Sequence, residues 1–402
     1  MKHGGGPAGR PCQIADNLMW AGTRVSAPAE KGMSSMVRGT KGIAVKGLIC
    51  GVLFLFLGGV APSPCPARVS KEMKCSVCHT MHNSQAGQPM AYEYSEGAFE
   101  STATPQTNLL VTDCVGCHTA LDGSSSSGVG GAPVVFNTAE PSYGADAGDG
   151  NKAGLAGGNF YWVTQADGKG HNIFTADGVL SQAPGKSSGG GGGCSCHNSL
   201  VSEGCKGCHM RSDVLKKYHH ADDSATVVDS AAEGWYRFLS GHHTHGEGHG
   251  VSGIEDDDRQ LTQGSSDHNE YLGSAGSHND DSGFRYVGNT MTGFCSGCHG
   301  TFHVQDTTST GESPWIRHPS DTVIPNSGEY ASYTTYNPLV PAARPSLSAV
   351  SPTVTPGTDL VFCLSCHRAH GSPYNNMLRW DYEGSDLSDS LAGCVVCHTS
   401  KS

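Results

Sequence analysis

The chain is 402 residues long, with 36% hydrophobic and 15% charged residues, and it contains 56 Gly, 21 His and 17 Cys. So little aliphatic material excludes the usual packing of two or three domains, because glycine adds no side chain to a core. A formal charge of −12 excludes nucleic acid as a partner, since phosphate binding relies on clustered Lys and Arg.

Residues 1–32, rich in Gly, Pro and Ala, read as an over-long N-terminal extension. Residues 33–67 read as a signal peptide, with Met33 and Met36 at its start. Arg38, Lys41 and Lys46 precede the apolar run Gly47–Val60, and small residues with prolines follow to Ala67. That run falls short of the ~20 residues a membrane-spanning helix needs. Cleavage after Ala67 removes Cys12, Cys50 and Cys65 from the 17 cysteines, and the 14 that remain all fall into seven clusters. It also removes seven Lys/Arg and two Asp/Glu, leaving 18 basic and 35 acidic residues, a balance of −17. The expected location is therefore outside the cytoplasm: periplasm, outer surface or extracellular space.

Six of the seven clusters read Cys-x-x-Cys-His: Cys75-Ser-Val-Cys78-His79, Cys114-Val-Gly-Cys117-His118, Cys205-Lys-Gly-Cys208-His209, Cys295-Ser-Gly-Cys298-His299, Cys363-Leu-Ser-Cys366-His367 and Cys394-Val-Val-Cys397-His398. This is the attachment signature of c-type haem. Two thiols three positions apart on one helical turn reach the two vinyl carbons of one porphyrin, and the next residue offers its imidazole to the iron. A structural zinc site requires four converging ligands and does not require His directly after the second Cys. A redox-active dithiol needs a compact α/β scaffold, of which the sequence shows no sign. The seventh cluster, Cys194-Ser-Cys196-His197, is one residue short but keeps the Cys-His end, so it is expected to hold a seventh haem c beside the six.

In Cys75-Ser-Val-Cys78-His79-Thr-Met-His82 and Cys366-His367-Arg-Ala-His370-Gly-Ser-Pro, a second His follows the first by three residues. On these phrases and the repeated motif, residues 70–402 resemble the exported multihaem c-type cytochromes of metal-respiring bacteria. The resemblance implies that the second His ligates a neighbouring haem. It also implies electron transfer towards extracellular acceptors such as metal oxides, with other redox cytochromes or envelope electron conduits as partners, and assembly with copies of itself into a filament.

A haem used only for electron transfer needs both axial positions filled. The seven motif histidines, His79, His118, His197, His209, His299, His367 and His398, supply one each. His82 and His370 lie one helical turn past a motif His and cannot serve the opposite side of the same iron. Each must reach another haem. His171, His220, His243, His303 and His318 are the further candidates for distal ligands.

No amphipathic period persists long enough for a long helix. The expected fold class is irregular, with short helices on the attachment motifs, a few short strands, and haem as most of the core. Pro133–Phe136, Asn159–Val163 and Leu360–Phe362 read as isolated strands, and Pro338–Pro356 as loop or linker. Beyond the signal peptide the chain divides into an N-terminal multihaem region (68–238), a His/Asp-rich loop (239–283) and a C-terminal multihaem region (284–402). The expected function is an electron carrier, not an enzyme. The alternative is a multihaem reductase of a small nitrogen or sulfur oxyanion, which needs one open haem, and among the clusters only Cys194–His197 is irregular enough to mark one.

Overall fold

The computed structural model describes the strands within 84–101 and, with short gaps, residues 114–142, 155–174, 183–184, 204–209, 226–240, 250–275, 289–302 and 318–400. The chain divides into two units, Met1–Gly59 and Val60–Ser402, and the first lies wholly outside the described residues, with the signal-peptide assignment.

Among the described residues of the second unit the strands are two to four residues long and the α-helices four to six. Strands β1 (Ser84–Gln85) and β2 (Gln88–Pro89) form one hairpin, and β3 (Tyr92–Ser95) and β4 (Ala98–Ser101) a second. Strands β5 (Thr119–Ala120) and β6 (Phe136–Asn137) pair in parallel, while β7 (Gly253–Ile254) with β8 (Glu270–Tyr271) and β9 (Thr322–Val323) with β10 (Leu360–Val361) pair antiparallel. Among the described residues every sheet has two strands. Helices this short do not persist alone in water, and two-stranded pairs are marginal. The fold is irregular and poor in secondary structure, so its order must come from packing around the attachment motifs.

The hydrophobic clusters lie against those motifs. One gathers Tyr236, Tyr271, Met291, Leu360, Phe362 and Leu364, with Cys208 and Cys295 packed against it. Another joins Leu339, Val340 and Trp380 to Cys366, Cys394 and Cys397. Between β8 and β10, buried Arg344 donates to Glu270 at 2.8 Å and to Asp359, tying three distant segments together. Removing one partner of such a buried ion pair costs about 3–5 kcal/mol, because the other charge is left uncompensated.

Two local expectations change. Asn159–Val163 is not a strand: a helix covers Tyr161–Gln165. Gly158 takes φ +84°, and the Asn159 side chain accepts a hydrogen bond from the Tyr161 amide at 2.9 Å, which turns the chain and starts the helix. Its apolar residues then bury as neighbours, Trp162 and Val163 facing the core. Pro338–Pro356 is irregular, as expected, but not a linker, since Leu339, Val340, Ala342, Ala343 and Val354 are all buried.

Candidate haem-attachment sites

Five of the seven clusters lie among the described residues, and they share one backbone. In each, the amide of the motif His donates to the carbonyl of the first Cys: His118 to Cys114 at 3.0 Å, His209 to Cys205 at 2.9 Å, His299 to Cys295 at 3.0 Å, His367 to Cys363 at 3.1 Å and His398 to Cys394 at 2.8 Å. That single turn puts both cysteines on one face and throws the imidazole clear of it. The turns are short because nothing extends them. Cys363–Cys366 starts at Phe362, whose amide donates to Ser365 Oγ at 3.1 Å, and ends where His367 becomes extended.

Burial raises the thiols of Cys208 and Cys394, and those of Cys366 and Cys397 reach about 12. Redox-active Cys-x-x-Cys sites do the opposite, since they need a thiolate; of these motif thiols Cys363 is shifted down, by its hydrogen bond with Cys295. Cys298 is disulfide-bonded, and a thioether at this sulfur requires that bond to open. No group of three or more His, Cys, Asp or Glu converges to hold a metal ion among the described residues, and a structural zinc site needs four ligands.

The histidines are arranged alike. Nδ1 of His118 donates to Pro133 O at 2.9 Å, of His209 to Arg237 O at 2.8 Å, of His299 to Pro184 O at 2.7 Å and of His367 to Asn376 O at 2.8 Å. His171 does the same to Ala369 O at 2.6 Å. His398 uses the Glu329 carboxylate at 3.1 Å. Each such bond fixes the tautomer and leaves the Nε2 lone pair for a metal. Burial lowers the pKa of His118, His171, His209 and His367, takes His299 to about 4 and His370 to about 3. All six are therefore neutral at pH 7, as ligation requires.

Three motif histidines face a histidine from elsewhere in the chain. Ring centres lie 6.0 Å apart for His209 and His370, 6.1 Å for His171 and His299, and 6.4 Å for His318 and His398. Two imidazoles that share one metal at about 2 Å have centres roughly 6 Å apart, so the separation of each pair would suit a shared metal. His370 is turned from its own motif by its amide, which donates to Gly157 O at 2.7 Å, and its ring stacks on Phe160 at 4.6 Å. These residues fit haem c: paired thiols on one turn, an imidazole with a fixed tautomer and, at three of the five described sites, a second imidazole nearby.

The motifs also approach one another. The sulfurs of Cys295 and Cys363 are in hydrogen-bond contact, Cys366 lies within electrostatic reach of Cys394 and Cys397, and His118 within reach of His209 and His370. Cys75, Cys78, His79, His82, Cys194, Cys196, His197, His220, His243 and His303 lie outside the described residues. His268, a histidine outside the motifs, belongs to the core. It stacks on Tyr336 at 3.5 Å, and both its ring nitrogens meet backbone carbonyls, of Asn269 and Ser351. Glu329 and the buried pair Arg368 and Arg379 carry no signature in the sequence; only the folded backbone brings them to the motifs.

The chain is similar to c-type cytochromes, and its motifs fit haem c as the cofactor. A family model described as a doubled CXXCH motif matches residues 355–402, which contain the Cys363 and Cys394 clusters. C-type cytochrome OmcS of Geobacter sulfurreducens is 24% identical over 390 residues, covering 80% of this chain and 82% of that protein. Two solved structures are also similar. The Outer Membrane Cytochrome S Filament from Geobacter sulfurreducens matches at a TM-score of 0.45 and the OmcS nanowires from the same organism at 0.41, each with 18% identity over 84% of this chain and 100% of theirs.

Proposed function

We propose that the protein is an exported electron carrier holding seven haems, and that it passes electrons along closely spaced haems towards extracellular acceptors. The observation that carries this reading is the set of three facing imidazole pairs, each joining a motif His to a histidine from a different segment. Haem supplies one-electron redox chemistry at iron. The chain's part is to fill both axial positions, which leaves no open coordination for a substrate and suits electron transfer. His370 completes the Cys205–Cys208 site from within the Cys363 motif, His171 completes the Cys295–Cys298 site, and His318 completes the Cys394–Cys397 site. Because His370 is three residues from His367, two haem sites are locked together by one turn of chain. The outer-surface location and assembly into a filament are further parts of the reading. They are supported by the sequence relationship, over four fifths of both chains, to a cytochrome whose nanowires have been solved.

Electron paramagnetic resonance of the purified secreted protein tests the ligation. The expected spectrum is low-spin throughout. A stoichiometric high-spin iron that binds nitrite or hydroxylamine would shift the assignment to a reductase.

A further inference from the structure

The Cys363–Cys366 motif is the centre of the described array. Cys363 touches Cys295, Cys366 neighbours the Cys394 motif, and His370 faces His209. Around this one motif lie two arginines with almost no exposure, Arg368 at 1% and Arg379 at 0%. Their placement follows from a single antiparallel bridge between His367 and Leu378, flanked by Arg368 N–H to Met377 O at 2.8 Å and Arg379 N–H to Cys366 O at 2.9 Å. Side chains alternate across an extended pair, so both arginines point to the face opposite His367. There they meet the same loop. Arg368 donates to Leu155 O at 3.0 Å, and Arg379 donates to Ala156 O at 3.2 Å, Leu364 O at 2.6 Å and Pro338 O at 3.2 Å.

We propose that Arg368 and Arg379 form a fixed pair of positive charges that raises the reduction potential of the haem at Cys363 and Cys366 above its neighbours, so that electrons rest at the centre of the chain. A nearby cation stabilises the reduced, less positive iron. A unit charge about 10 Å from a redox centre, at an effective dielectric of about 20, shifts its equilibrium by roughly tenfold. Arg379 is tied into the motif itself, through its side chain to Leu364 O and through its amide to Cys366 O. Guanidinium does not deprotonate in proteins, so the charge persists at every working pH.

The neighbouring sites carry a negative or an offset charge. His398 rests on the Glu329 carboxylate, and the Arg237 guanidinium beside His209 is offset by the Glu255 carboxylate held on Arg237's own amide. Asp321 acts on Cys295 and Cys363 alike and does not separate them. Each haem brings the same two propionates, so pairing of an arginine with one would leave the difference between sites standing.

The proposal rests on the haem reading of these motifs, and its test separates the two. Arg379→Met and Arg379→Lys are compared with the wild-type holoprotein by optical potentiometric titration, with haem counted by mass. The expected result is a loss of at least tenfold in the highest-potential step for the Met variant, about 59 mV for one electron, and retention of that step by Lys. An unchanged step in a fully loaded Arg379→Met protein would overturn the proposal. If the Met variant does not load haem, Cys363→Ala leaves one thioether and marks that haem optically with both arginines intact. The marked haem should reduce ahead of the bulk; reduction with or after the bulk would overturn the tuning role. A Cys363–Cys366 peptide without haem mass would instead overturn the haem assignment itself.

Discussion

Replacing His370 by Ala isolates one axial ligand from everything else the residue does. The ring faces His209 at 6.0 Å and stacks on Phe160, whereas the tie to Gly157 runs through the backbone amide and survives the substitution. The lost ring contact costs about 1–2 kcal/mol, small against a native stability of about 5–15 kcal/mol and against covalent haem crosslinks. The fold and all thioethers should therefore persist while one iron loses its sixth ligand. With seven haems, about one seventh of the iron should become high-spin, since a haem without its distal ligand leaves the low-spin set. Electron paramagnetic resonance quantifies the fraction, mass spectrometry checks that no haem is lost, and added imidazole should restore the low-spin signal. The affected haem should be the one on the Cys205–Cys208 peptide. A fully loaded, fully low-spin His370→Ala protein would refute ligation across motifs at this position.

The Glu329 carboxylate on His398 Nδ1 should make that imidazole a stronger donor and hold its haem at low potential. Glu329→Gln should therefore raise the lowest potentiometric steps, and a titration that overlays the wild type would remove the carboxylate's role. Asp321 is 1% exposed, and burial raises its carboxyl from the usual 3.8 to about 7. Its folded form holds the proton more tightly than the unfolded chain, so Asp321's contribution to stability is greatest below about pH 4, falls as pH rises to about 7, and levels off above. The loss amounts to at most about 4 kcal/mol. Asp321→Asn should flatten that slope in denaturant unfolding measured across the same range; an equal slope in both proteins would show that Asp321 is not its source.

What could be read in the sequence was chemistry tied to spacing. The Cys-x-x-Cys-His turn is local, closed by one hydrogen bond from His to Cys, so five residues suffice to specify it. His370 announced itself through its distance from His367, because one turn of chain forbids a shared iron. Which motif it would face was not legible, since that depends on Gly157, Phe160 and the whole loop between them and residue 363. His171 and His318 could be nominated only as spare nitrogens. Arg368 and Arg379 were invisible for the same reason. Nothing in an isolated Arg tells whether a bridge such as His367–Leu378 will bury it. The helix at Tyr161–Gln165 was misread because its apolar run fits either period, and the deciding bond comes from the Asn159 side chain. The buried Pro338–Pro356 stretch was misread because its prolines signal irregular backbone, which is correct, and exposure, which is not.

The most direct test of the account is the intact mass of the denatured, secreted protein, which retains covalent haem and loses anything merely bound. The account predicts a chain beginning after Ala67 and carrying seven haems. A count of six would confine the failure to the short Cys194–His197 cluster. A count below six, or metal and disulfides in place of haem, would contradict it.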